Sequence, residues 1–141
     1  MSDAGLHLAE WFEGLLGEKL PTNGDADLFE RFGIEGDDAS EFMDSFAARF
    51  GVDGQNYRWY FHHSDEGTNI GALFFAPPYR RVQRIPITPN ILTEAIETKQ
   101  WPINYPPHKL PTVRWDVRVN QSLILVPLAL IVLWFWQRFV R

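Results

Sequence analysis

The sequence predicts a mainly all-α chain, a small helical bundle followed by a single C-terminal transmembrane helix, and three observations carry that prediction. Segments near the N-terminus repeat apolar residues at helical spacing, and prolines and glycines punctuate the chain between them. Residues 122–136 then read SLILVPLALIVLWFW without one charged side chain. A length of 141 residues leaves room for one modest core. Apolar residues at 45% and charged residues at 22% suffice to bury it, which excludes global disorder. The absence of cysteine excludes disulfides, thiolate zinc sites and a cysteine nucleophile.

The net charge of −5 hides a division. Residues 1–67 carry fifteen acidic and four basic side chains, a net of −11, whereas residues 68–141 carry three and nine, a net of +6.

Taken in order, residues 5–20 place Leu8, Trp11, Phe12, Leu15 and Leu16 on one helical stripe with Glu10, Glu13 and Glu18 opposite, which predicts a first helix. Pro21 and Gly24 make the next stretch a turn-rich loop, and residues 27–34 read as a short irregular link. Asp37 or Asp38 is expected to cap the second helix, with Glu41 three residues beyond Asp38 as an acidic capping box. From there Ala39, Phe42, Met43, Phe46, Ala47 and Phe50 keep helical spacing until Gly51 ends the run. The aromatic run at residues 57–61 fits a strand or a buried helical turn equally well. Thr88 and Pro89 supply a cap and a first-turn proline for a helix carrying Ile91, Leu92, Ala95 and Ile96 and ending near Trp101. Pro102, Pro106, Pro107 and Pro111 then predict an extended connector. The expected organisation is a helical domain at 1–104, a connector at 105–120 and an anchor at 121–141.

As a helix, residues 122–136 alone would cover roughly 22 Å, short of a hydrocarbon core of about 30 Å. Counting Phe139 and Val140 as interfacial, with Arg138 and Arg141 snorkelling, extends the span to nineteen residues. Trp134 and Trp136 suit a membrane interface, and Pro127 is expected in the first turns. A buried core helix would need a polar face that this stretch lacks. Residues 1–3 lack the basic and apolar regions of a secretory signal. Lys109, Arg114 and Arg118 precede the span against Arg138 and Arg141 after it. Together these predict a single-pass protein with its N-terminal domain in the cytoplasm.

Glu35, Asp37, Asp38, Glu41 and Asp44 form an acidic surface opposite the apolar stripe, one that would attract a basic partner. Spacing alone also describes a solvated face whose carboxylates the helix dipole favours. His62 and His63 are adjacent, point apart in regular structure and lack a second pair at helical spacing, so no metal site is assigned. No serine nucleophile elbow, phosphate-binding glycine loop or dinucleotide fingerprint is present, and no cofactor is expected. Arg80, Arg81 and Arg84 make a small basic cluster, too narrow for nucleic acid. Near a membrane it suits anionic lipid headgroups, and docking onto the acidic N-terminal part is the internal alternative.

The run DLFERFGIEGDDASEFMDSFAARFGVD, between a long first helix and a short late one, resembles an acyl carrier protein. Aligning Phe50 with the phenylalanine that ends the carrier's acidic second helix puts Glu35 on the aspartate and Gly36 on the serine that bears phosphopantetheine. That serine is missing, and Ser40 lies four residues on. With the later PITPNILTEAIETKQW, the chain is similar to a bacterial domain-of-unknown-function family described as acyl-carrier-like, over roughly residues 6–101. The resemblance implies a small helical bundle whose acidic second helix recognises a partner. The anchor is expected in the cell inner membrane.

The resulting expectation is a non-enzymatic, membrane-anchored, acyl-carrier-like protein that binds a protein with a basic surface through Glu35, Asp37, Asp38, Glu41 and Asp44. A carrier modified at Ser40 and serving a membrane enzyme is the alternative. A small hydrolase using carboxylates with His62 or His63 has no arrangement beyond composition to support it.

Overall fold

The computed structural model describes residues 2–139, so Met1, Val140 and Arg141 lie outside the described residues. The described residues are helical without strands, apart from an isolated bridge between Asp53 and Gln100. They divide into two compact units, Met1–Glu66 with Val82–His108 and Gly67–Arg81 with Lys109–Arg141.

The first unit begins with α1, Asp3–Leu16, whose N-cap Ser2 accepts from the Gly5 N–H. It stops four residues before the expected end because Gly17 takes the left-handed conformation and returns its N–H to the Glu13 carbonyl at 2.8 Å. Leu28–Phe32, expected as an irregular link, forms a short helix, α2, because Asp27 caps the N–H groups of Phe29 and Glu30 and Gly33 closes it at φ +64. Asp27 also pairs with Arg84, which donates a further bond through Nε to the His62 carbonyl at 3.0 Å.

The helix expected from Asp37 or Asp38 is α3, Gly36–Phe50, and its N-cap is Glu35 rather than either aspartate. Glu35 makes no capping bond, since its carboxylate accepts from the Ser64 hydroxyl at 2.9 Å. Asp37 and Asp38 fall in the first turn, where they meet the positive end of the helix dipole. α3 buries Ala39, Phe42, Met43 and Phe46 on one side. The ring of Phe42 meets Trp11 at 5.1 Å and Phe29 at 5.6 Å, both edge to face. Leu8, Phe12, Leu28 and Phe46 are fully buried around them.

The aromatic run resolves as a 310 turn at Trp59–Phe61 that buries Phe61 completely. α4, Pro89–Thr98, has the expected Thr88 cap and first-turn proline. It ends before Trp101 because Lys99 turns to φ +60 and sends its ammonium to the Phe50 carbonyl at 2.8 Å. The backbone of Asp53 bonds to Lys99 and Trp101, joining the chain that leaves α3 to the chain that leaves α4.

The second unit contains a 310 turn at Ile70–Leu73 and α5, Trp115–Phe139. Because α5 starts seven residues before the charge-free stretch, Pro127 lies in its interior and not in the first turns. The missing proline N–H leaves one carbonyl of the preceding turn unpaired, a defect membrane-length helices tolerate. Twenty-five residues make a helix about 37 Å long, which removes the length deficit of the apolar stretch alone. α5 is therefore long and apolar enough to cross a membrane, and none of its apolar window is buried against protein.

Gly36 has φ +54, and a Cβ there would collide with the Glu66 side chain. Gly36→Ser is expected to lower stability by about 1–2 kcal/mol in thermal or urea melts. Adding Glu66→Gly, which removes every atom of the clashing side chain, should recover the steric part and leave the backbone part.

Candidate functional site

Helical geometry fixes what α3 shows to solvent. At about 100° per residue, the buried positions Ala39, Phe42, Met43 and Phe46 occupy one arc. Asp37, Asp38, Glu41 and Asp44 fall within a separate arc of about 120° centred on the far side, so burying the stripe forces the carboxylates outward. All four are exposed, as is Glu35 just before the helix. No lysine or arginine interrupts the sequence between Glu35 and Asp44.

An apolar cleft of about 390 Å³ adjoins these carboxylates. Leu15, Leu16, Phe32 and Ile34 line its apolar side, and Asp38 and Glu41 are also among its lining residues. Leu15 and Leu16 belong to the apolar stripe of the first helix, yet they remain 44% and 37% exposed. Their place beyond Phe12, in the last turn before Gly17, carries them to the cleft instead of the core. The consecutive leucines were the signal in the sequence, but periodicity assigns both to a core and cannot see a groove.

The structure describes both positions that the carrier resemblance singles out, Gly36 and Ser40. Gly36, which the resemblance would align with a carrier's serine, is buried, donates its N–H to the Ser64 carbonyl at 3.2 Å and packs tightly against Glu66. Ser40 is exposed and donates back to the Gly36 carbonyl at 3.3 Å. It lies about 160° around α3 from Phe42 and therefore away from the cleft.

The arginine cluster is divided. Arg84 belongs to the first unit, bound to Asp27 and to the His62 carbonyl. Arg80 and Arg81 belong to the second, where Arg81 donates through Nε to the Ala76 carbonyl at 2.8 Å. The internal docking weighed for this cluster thus describes Arg84.

His62 is fully buried, and both ring nitrogens are engaged. Nδ1–H donates to the Ile85 carbonyl at 2.8 Å, so Nε2 accepts from the Tyr105 hydroxyl at 2.7 Å. The tyrosine oxygen then accepts from Trp101 Nε1–H at 2.7 Å and from the Arg58 N–H at 3.1 Å. Tyr57 stacks on the imidazole with ring centroids 5.1 Å apart. Burial, the largest effect, lowers the His62 pKa to about 4 despite the opposing bond to Ile85. Burial also raises the Tyr105 phenol and, more strongly, that of Tyr57. His63 donates to the Ser64 carbonyl at 3.0 Å, while its buried Nε2 has no hydrogen-bond partner. Among the described residues no group of three or more histidine, aspartate and glutamate side chains is placed to hold a metal.

This node gives a pH dependence of known sign. The unfolded histidine titrates near 6.5 and the folded one near 4, so between these values the unfolded chain binds a proton that the native chain refuses. As pH falls from 6.5 to 4, His62 should remove up to about 3 kcal/mol of stability. His62→Asn should flatten that portion of the curve, read as the difference between the two proteins in thermal melts across this range.

Comparison with known proteins finds no family model, no curated protein and no solved structure that matches this chain.

Proposed function

We propose that the chain is a non-enzymatic, membrane-anchored, acyl-carrier-like protein that binds a protein with a basic surface through the exposed face of α3. The observation that carries this reading is the juxtaposition of carboxylates and cleft. Asp38 and Glu41 lie beside a groove lined by Leu15, Leu16, Phe32 and Ile34, an apolar anchor site with a charged rim. Lysine or arginine side chains on the partner would pair with Glu35, Asp37, Asp38, Glu41 and Asp44, and one apolar side chain would enter the cleft. The engagement of both His62 nitrogens supports a structural role for that residue rather than general-base chemistry.

α5 is the anchor in this reading, and the first unit faces the cytoplasm from the bacterial inner membrane. Lys109, Arg114 and Arg118 on the domain side of the apolar stretch, against Arg138 and Arg141 beyond it, favour that orientation.

Reversing Asp38, Glu41 and Asp44 together to lysine should abolish affinity capture of the partner from detergent-solubilised membranes while leaving the melting curve close to that of the parent. Capture that is undiminished would remove the reading. Treatment with a phosphopantetheinyl transferase should leave the intact mass unchanged, and an adduct on Ser40 would replace a binding module with a working carrier.

A further inference from the structure

The second unit carries an apolar surface that α3 and its cleft do not explain. Residues 70–75 read Ile-Gly-Ala-Leu-Phe-Phe, and Leu73 and Phe74 are 77% and 73% exposed. Ile70 and Phe75 are exposed as well. Two bare side chains of this size on one short turn make an apolar patch of the kind that marks an interaction surface.

The patch is held at a defined level of α5 by a polar clamp. Asn69 Oδ1 accepts from the Ala72 N–H at 3.0 Å and from Asn120 Nδ2 at 2.9 Å. Asn69 Nδ2 donates to Asp116 at 3.0 Å, and Asn120 Oδ1 accepts from the Gly71 N–H at 2.9 Å. Asp116 is oriented in turn by Arg114, whose Nε lies 2.9 Å from Oδ1. Gly71 approaches α5 so closely that a Cβ would strike the Asp116 carbonyl. The turn at Ile70–Leu73 therefore sits beside positions 116–120, about one to two helical turns before Leu123, where the unbroken apolar run begins. If α5 spans a bilayer, that is the headgroup level.

The charge of this unit fits the same level. Before the apolar run its two segments hold five basic residues and one acidic, a net of +4, with Arg138 and Arg141 following that run in the sequence. Arg80 and Arg81 follow the patch, with Arg81 tied to the Ala76 carbonyl, and Arg118 lies 5.2 Å from the exposed ring of Trp115. Apolar side chains flanked by arginines and a tryptophan at this depth form an interfacial element.

We propose that residues 70–75 are a membrane wedge, with Leu73 and Phe74 entering the acyl boundary of the leaflet and Arg80 and Arg81 binding the phosphates of anionic lipid. This rests on reading α5 as a membrane span. The clamp makes the wedge and the helix one rigid anchor, with Asn69, Asp116 and Asn120 satisfying one another.

Because the chain has no cysteine, one introduced thiol gives an unambiguous probe. Full-length proteins carrying Leu73→Cys, Phe74→Cys, Ser40→Cys or Leu130→Cys would be labelled with a fluorescent dye and placed in phosphatidylcholine vesicles with or without phosphatidylglycerol. The expected result is that probes at 73 and 74 are several-fold less accessible to acrylamide than the probe at 40 and are quenched by nitroxide near the headgroups. Phosphatidylglycerol should deepen the protection, and Arg80→Gln with Arg81→Gln should abolish that deepening. Probes at 73 and 74 as accessible as the probe at 40, with the probe at 130 protected, would overturn the wedge and leave the span intact. An accessible probe at 130 would overturn the span itself. Protection unaffected by anionic lipid would overturn the phosphate role of Arg80 and Arg81. Protection that appears in detergent only as the protein is concentrated would assign the patch to a second copy and overturn the lipid assignment.

Discussion

Phe42 is the contact on which the arrangement of the first unit turns. Its ring is almost wholly buried and packs edge to face against Trp11 of α1 and Phe29 of α2, while Phe12 and Phe46 fill the space beside it. A helix with a buried stripe about 100° wide has no remaining freedom to rotate about its axis, so locking Phe42 and Phe46 inward also places Asp37, Asp38, Glu41 and Asp44 in water. The same docking of α1 and α2 against α3 leaves the cleft between Leu15, Phe32 and Glu41. Core packing and the candidate recognition surface are thus two consequences of one constraint.

Charge follows the division of the structure as closely as that of the sequence. The first unit holds seventeen acidic and six basic residues, a net of −11, and the second holds +6, although the second is assembled from two segments separated by Val82–His108. An acidic unit is repelled by anionic surfaces and attracts cationic ones, whereas a basic unit beside an apolar helix is drawn to anionic headgroups. Each unit therefore has an electrostatic character suited to a different class of partner, and a whole-chain charge of −5 conveys neither.

Much of the fold was legible in the residues. α3 and α4 follow from apolar spacing with Thr88, Pro89 and Gly51 as boundary markers, since caps and periodicity are local properties. α2 was not, because five residues are too few to display a period and Asp27 could not be recognised as a cap without the helix it closes. Lys99 ends α4 in a conformation that a lysine seldom adopts, held by the bond from the Asp53 N–H to its carbonyl and by the bond from its ammonium to the Phe50 carbonyl. The node around His62 was equally invisible, since Tyr105 lies 43 residues away within what reads as a proline-rich connector.

The sequence by itself determined the helical class, the apolar stripe with its acidic counterpart, and a C-terminal stretch too apolar to belong on a soluble surface, because composition and spacing act over a few residues. The tertiary structure decided which apolar residues line a cleft and which enter the core, why Gly36 is packed against Glu66, and that Arg84 separates from Arg80 and Arg81. It also brought residues 67–81 to the start of α5 through Asn69, Asp116 and Asn120. These are contacts between positions tens of residues apart, and they are selected by side-chain shape and hydrogen-bond satisfaction, for which no local pattern in the chain stands as a sign.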